Sequence, residues 1–110
     1  MKDILIKEFK FLLDDYGFKF AEEQFEGLIV VYNNERLSVE FTKDRSDFFV
    51  SVKAKEGNKE YEDIYEILTK MKKSRMISEV YSPNNRMNLA KKVLRKHISK
   101  IQEYFENDLA

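Results

Sequence analysis

The sequence predicts an α+β fold in which an N-terminal helix and two or three C-terminal helices pack on one face of a four-stranded antiparallel meander sheet. Three observations predict it: an apolar stripe at helical spacing near the N-terminus, alternating apolar residues between turns in the middle, and further helical stripes near the C-terminus. The chain has 110 residues, of which 43% are hydrophobic. That length and composition favour a single domain, residues 1–110, with a hydrophobic core.

The N-terminal helix is predicted over residues 3–16. Its apolar residues recur at helical spacing and are Leu5, Phe9, Leu12, Leu13 and Tyr16. Gly17 follows the stripe, where a glycine can adopt the left-handed conformation that ends a helix. We therefore expect the first strand to begin directly after it.

The four strands are predicted at 18–24, 28–33, 36–43 and 47–54, and turn-forming residues separate them. A two-residue loop at Asp44-Arg45 closes the last hairpin. It places three apolar pairs on one face: Phe41 with Phe48, Val39 with Val50, and Leu37 with Val52. This pattern is typical of a sheet that is buried on one side.

The second strand is apolar on both faces. We expect Leu28 and Val30 on the core face, and Ile29 and Val31 on the far face, where they form an apolar patch with Phe49. A later helix or the chain's own tail would cover such a patch. Alternatively it is a surface for a partner or for a second copy of the chain.

The C-terminal helices are predicted at 60–72 and 83–108, with a short helix or an extended link over 74–81. Ser82 and Pro83 suit the cap and the first position of the last helix. His97 lies on the apolar stripe of that helix, between Leu94 and Ile101. We interpret it as a partly buried core histidine.

The composition argues against catalysis and cofactors. The chain has no cysteine and one histidine, so thiolate chemistry, cysteine-built zinc sites and histidine clusters are excluded or disfavoured. We find no phosphate-binding loop and no nucleophile elbow. The apolar stretch at the N-terminus is too short for a secretory signal, and no apolar run approaches the ~20 residues that span a bilayer. We expect a cytoplasmic bacterial protein that is not an enzyme, holds no cofactor and is not in a membrane.

The neutral net charge hides a strongly basic stretch. Between residues 70 and 100 there are ten lysines and arginines and one acid, Glu79. Lys92, Arg95 and Lys96 lie at i, i+3 and i+4 of the last helix and share one face. This face is a solvated helix side, a docking site for an acidic protein surface, or a site for nucleic-acid phosphates.

A protein partner is favoured over nucleic acid. There is no nucleic-acid reader motif, and no aromatic residues alternate with the bases to stack on nucleotides. The candidate partner surface comprises two groups. On the last helix these are Lys92, Arg95 and Lys96, and on the sheet they are Arg36, Phe49 and Lys53. A homodimer through the far face of the sheet is compatible with either partner.

A resemblance to a known group of proteins also favours a protein partner. The segment Leu12-Leu13-Asp14-Asp15-Tyr16-Gly17-Phe18-Lys19-Phe20 and the strand sequences that follow it resemble small bacterial proteins of unassigned function, some of them classed as immunity proteins of toxin systems. The resemblance covers about residues 5–54. It implies a cytoplasmic inhibitor that binds and occludes a toxin domain, and it carries over no functional residue. A nucleic-acid-binding accessory protein that uses residues 70–100 is the alternative.

Overall fold

The computed structural model describes residues 2–44, 47–56, 60–70 and 86–109. In chain order the elements are α1 (Lys2–Glu8), α2 (Lys10–Asp15), β1 (Lys19–Gln24), β2 (Ile29–Asn33), β3 (Leu37–Asp44), β4 (Asp47–Ala54), β5 (Glu62–Asp63), α3 (Ile64–Lys70) and α4 (Arg86–Leu109). The sheet is antiparallel and its strands follow chain order from β1 to β5. The predicted α+β class and meander are confirmed, and a short fifth strand extends the sheet.

The N-terminal helical segment is interrupted at Phe9. The backbone of this residue has φ −111° and ψ 27°, outside the helical region, so α1 and α2 replace one continuous helix. Its ring is buried, with its centroid 4.7 Å from that of Phe41 and 6.2 Å from that of Phe48. Burial of the ring in this aromatic cluster offsets the loss of helical geometry at one residue. Gly17 follows α2 with φ +70°, as predicted for a helix end.

The predicted register of the β3–β4 hairpin is wrong by two residues. Asp44 pairs with Asp47. The predicted loop residue Arg45 lies outside the described residues, and Asp44 itself belongs to strand β3. Phe41 therefore lies opposite Val50 and not opposite Phe48. Because side chains alternate along a strand, a shift of two residues keeps every side chain on its predicted face.

Leu28 was predicted on the core face, and this is wrong. Its side chain is 49% exposed because it follows a single 3-10 turn over Phe25–Gly27 and precedes the start of β2 at Ile29. Val30 and Tyr32 are buried in the core, as the alternation requires. On the far face Val31 is buried, whereas Ile29 and Phe49 are half-buried.

The C-terminal half covers the core face. The predicted helix at 60–72 begins only at Ile64, because Glu62 and Asp63 first pair with β4 as strand β5. The predicted link over 74–81 and the Ser82-Pro83 cap lie outside the described residues. Helix α4 packs on β4, and its buried apolar residues are Ala90, Val93, Leu94, Ile98, Ile101 and Phe105. None of the described helices is long and apolar enough to cross a membrane.

Candidate functional site

The N-terminal helices lie alongside α4 and run in the same direction. Three contacts show this: Glu8 Oε2 accepts from Lys91 Nζ at 3.0 Å, the Phe11 ring centroid lies 5.0 Å from Arg95 Cζ, and the Tyr16 and Ser99 hydroxyl oxygens are 3.4 Å apart. Residue numbers rise together on both sides, so the segments are parallel. This seam fixes which side of α4 faces outward.

Three cations of α4 form a basic patch, which we define as Lys92, Arg95 and Lys96. All three side chains are exposed. No carboxylate among the described residues lies within ion-pair distance of any of them. The Arg95 guanidinium rests over the Phe11 ring, a cation–π contact of about 0.5–1 kcal/mol at an exposed site. That contact holds the guanidinium in place and leaves its charge uncompensated.

Other bases of the same stretch are neutralised within the fold. Three of them pair with carboxylates: Lys70 with Glu62 at 2.9 Å, Lys91 with Glu8 at 3.0 Å, and Lys100 with Glu103 at 3.7 Å. The hydrogen bond to Glu62 raises the pKa of Lys70. Lys72, Lys73 and Arg75 lie outside the described residues. Among the bases whose side chains the structure describes here, the unpaired charge is concentrated on the basic patch.

A shallow surface groove of about 430 Å³ lies at the basic patch. Among the described residues its lining consists of Lys91, Lys92, Arg95 and Lys96. The three uncompensated cationic heads of the basic patch, together with the aliphatic stems around the depression, suit an anion that carries an apolar group. Carboxylates and phosphates both meet the charge requirement.

The sheet residues predicted for the same surface lie elsewhere. Arg36 Nε donates to Glu106 Oε1 at 2.9 Å, so its charge is compensated at the C-terminal end of α4. Lys53 was expected opposite Arg36, but it pairs with Ser38, and its Nζ lies 5.3 Å from the Tyr61 ring centroid. Phe49 is on the far face of the sheet with Lys53, away from α4. The six predicted residues therefore do not form one surface.

The far face of the sheet carries acidic residues from β1, β3 and β5. Strand register aligns one residue from each strand in a row across this face: Glu22, Val31, Glu40, Ser51 and Asp63. Burial raises the pKa of Glu40, and the nearby Glu22 carboxylate raises it further. Burial also raises the pKa of Tyr61, against a lowering by its hydrogen bond with Ser38. Sequence spacing alone could not show this row, because it depends on the register of every strand.

A polar junction joins the β2–β3 turn to the helices. Asn34 Nδ2 donates to Tyr16 O at 2.8 Å and to Gln102 Oε1 at 3.0 Å, and Gln102 is buried. A depression of about 370 Å³ lies beside these groups. Because Asn34, Gln102 and Arg36 are already partnered within the fold, we assign this junction a structural role.

His97 is 7% exposed and lies on the buried side of α4, which agrees with its interpretation as a core histidine. Within the described ranges, no group of three or more histidine and carboxylate residues is placed to hold a metal ion.

Comparison of the chain with protein-family models, with curated proteins and with solved structures finds no match.

Proposed function

We propose that this protein is a non-enzymatic protein-binding domain whose basic patch docks on an acidic surface of another protein. One observation carries the proposal: the patch is exposed and has no carboxylate partner among the described residues, whereas neighbouring bases are paired. Those paired neighbours are Lys70, Lys91 and Lys100. An unpaired cation attracts a partner without first breaking an internal ion pair, so its full charge is available for docking.

The size of the patch favours a protein over nucleic acid. From Lys92 to Lys96 the helix rises only about 6 Å, roughly one turn. Proteins that bind duplexes through phosphates commonly make 6–10 such contacts, about twice or more the number of cations in this patch. The Phe11 ring lies beneath Arg95 and is 9% exposed, so it offers no surface on which a base could stack. Nucleic-acid binding remains the alternative that the experiment below also tests.

The proposed mechanism is orientation by charge followed by steric occlusion. Complementary charge accelerates encounter and fixes the docking register, and salt weakens it. The Arg95 guanidinium is held over Phe11, so it loses little freedom on binding. The resemblance of residues 5–54 to immunity-type proteins makes a toxin domain the partner class that we propose, in the cytoplasm of a bacterium.

The sequence supports a role without catalysis. It contains no cysteine, and the side chain of its one histidine, His97, is buried against the core. The carboxylates of the far-face row, such as Glu40, do not line either of the described cavities, so neither cavity places them around a substrate.

The experiment compares a patch variant with a charge-matched control. The patch variant is Lys92→Glu/Arg95→Glu/Lys96→Glu, and the control, Lys19→Glu/Lys43→Glu/Lys55→Glu, reverses three exposed bases in or next to the sheet strands. Cross-linking in native cells identifies the partner, and calorimetry with that purified partner then gives Kd at low and high salt. We expect the patch variant to weaken binding about tenfold or more and the control to leave it near wild type.

Two results would overturn the proposal. One is equal loss of binding in both variants, which would indicate a nonspecific charge effect. The other is a complex with DNA or RNA, measured by fluorescence polarisation, that is lost in the patch variant, together with no protein partner whose binding depends on the patch.

A further inference from the structure

The turn between β1 and β2 carries an apolar side chain that the fold does not use. Phe25 is 70% exposed, more than any other large apolar side chain that the structure describes, and Leu28 beside it is 49% exposed. Phe25 and Glu26 have φ of +52° and +55°, in the left-handed region that favours glycine. A non-glycine residue pays roughly 1–2 kcal/mol for that conformation. Neither burial nor backbone geometry explains a phenylalanine at this position.

Acidic residues flank Phe25 along the chain. Glu22, Glu23 and Glu26 are all exposed, and residues 22–28 contain no lysine or arginine. No ion pair to these three carboxylates occurs within the described part of the chain. We call residues 22–28 the acidic turn. Its complement would be an apolar depression with a cationic rim.

The groove at the basic patch has those properties. It measures about 430 Å³ and is bordered by four cationic side chains, Lys91, Lys92, Arg95 and Lys96, whose stems are aliphatic. A cavity of about 150 Å³ already holds benzene, so the groove admits a phenyl ring. Cationic groups also interact favourably with the face of an aromatic ring.

The two surfaces do not meet within the described part of one molecule, where Phe25 stays 70% exposed. The acidic turn extends from β1, an edge strand, whereas α4 packs on β4, which is three strand positions away. Strands lie about 4.8 Å apart, which gives a lateral separation of about 14 Å. A contact between these surfaces must therefore join two molecules.

We propose that the acidic turn of one molecule docks in the basic groove of a second copy of the chain, with Phe25 inserted between the cationic side chains. The two surfaces differ, so the contact is head-to-tail and its repetition gives a ring or an open chain. The contact is small, so it forms transiently and increases with concentration. It uses the same groove as the proposed function, so an acidic partner competes with self-association.

Sedimentation velocity from about 10 µM to about 1 mM at low salt tests the contact. We expect the weight-average mass of the wild type to rise above 13.2 kDa with concentration. Phe25→Gly removes the ring and relieves the left-handed backbone, so it should remain a monomer with an unchanged or higher Tm. Ile4→Ser, which removes another exposed apolar side chain, is the matched control and should associate like the wild type.

A charge swap tests the pairing of the two surfaces. Glu23→Lys/Glu26→Lys makes both surfaces basic, and Lys92→Glu/Arg95→Glu/Lys96→Glu makes both acidic, so neither variant should associate alone. An equimolar mixture should associate again, because each reversed surface then meets its complement.

The outcomes separate this inference from the proposed function. A wild type that stays monomeric throughout overturns self-association and leaves the basic patch free for another protein. Association that survives Phe25→Gly, or a charge-swapped mixture that stays monomeric, overturns the surfaces assigned here.

Discussion

Asn34 Nδ2 donates a hydrogen bond to Gln102 Oε1 at 3.0 Å, which ties the β2–β3 turn to the last helix. The same amide group donates to Tyr16 O at 2.8 Å, and Asn34 Oδ1 accepts from the backbone N–H groups of Arg36 and Leu37 at 2.8 Å each. One side chain therefore connects the end of α2, the turn and α4.

We expect Asn34→Ala to lower the free energy of unfolding by about 2–4 kcal/mol, because it removes four hydrogen bonds and leaves the buried Gln102 oxygen unpaired. Urea denaturation followed by circular dichroism measures this change. Asn34→Asp keeps the acceptor for Arg36 and Leu37 but sets a carboxylate oxygen against Tyr16 O and Gln102 Oε1, which are also acceptors, so it should not restore the lost stability. Glu35→Ala changes an exposed neighbour and should stay within about 0.5 kcal/mol of wild type. An equally small effect of Asn34→Ala would show that the junction does not stabilise the fold.

Tyr32→Phe should stabilise the protein. The Tyr32 hydroxyl is buried and has no hydrogen-bond partner in the described part of the structure, which costs roughly 1–3 kcal/mol. Burial raises the pKa of Tyr32, and Asp3 raises it further, so the hydroxyl stays protonated at neutral pH. The expected gain in unfolding free energy is about 1 kcal/mol, measured in urea. Tyr16→Phe is the control: it removes the exposed 3.4 Å contact between the Tyr16 and Ser99 hydroxyl groups, and it should leave the free energy of unfolding nearly unchanged. A loss of stability in Tyr32→Phe would contradict an unpaired hydroxyl.

Gly17→Ala should destabilise the fold by about 1 kcal/mol, because φ is +70° at this position and a β-carbon is strained there. Among the described residues, no atom beyond the chain neighbours lies within 4 Å of the position that the new β-carbon would occupy, so the cost comes from the backbone and not from a clash. Gly17→Asn should cost less, since asparagine tolerates the left-handed region better than alanine. Thermal melts of the wild type and the two variants give the order of their Tm values. Equal Tm values for Gly17→Ala and the wild type would refute the predicted cost.

Glu40→Gln should stabilise the protein at neutral pH and not at acidic pH. Burial and then Glu22 raise the pKa of Glu40 above its ordinary value of 4.5 in the folded state. The folded protein therefore binds this proton more tightly than the unfolded chain does, and stability is lost as the pH rises through the raised pKa. Glutamine stays neutral, so its advantage should appear above that pKa and vanish below the ordinary value. We expect Glu40→Gln to raise the free energy of unfolding by less than about 1 kcal/mol, because the Glu40 carboxylate keeps contact with water.

The measurement is the difference in unfolding free energy between Glu40→Gln and wild type from about pH 4 to pH 8. Glu35→Gln removes an equal charge at an exposed position away from the acidic row and serves as the control. A difference that does not change with pH would argue against the raised pKa.

Side-chain faces could be predicted from the sequence, whereas registers could not. Alternation placed Val39, Phe41 and Val50 correctly on the core face, because a period of two survives a shift of two residues. The hairpin loop was misplaced because both choices of loop give the same apolar face. Leu28 was misassigned because the left-handed turn before it delays the start of β2.

The candidate site could be predicted only in part, for an electrostatic reason. Helical spacing placed Lys92, Arg95 and Lys96 on one side of α4, and the structure leaves them exposed. Sequence cannot show which bases find carboxylates, since partners such as Glu8 for Lys91 and Glu106 for Arg36 are distant in the chain. The exposed Phe25 escaped prediction because it lies in the turn between the predicted strands 18–24 and 28–33, where strand alternation assigns no face.

The seam between the N-terminal helices and α4 constrains the order in which the chain can fold. Its contacts join residues 83 positions apart, as between Glu8 and Lys91. During synthesis on a ribosome, α1 and the first strands emerge long before the helix that completes their core. Such distant contacts slow folding, and they leave the nascent apolar face uncovered until α4 has been synthesised.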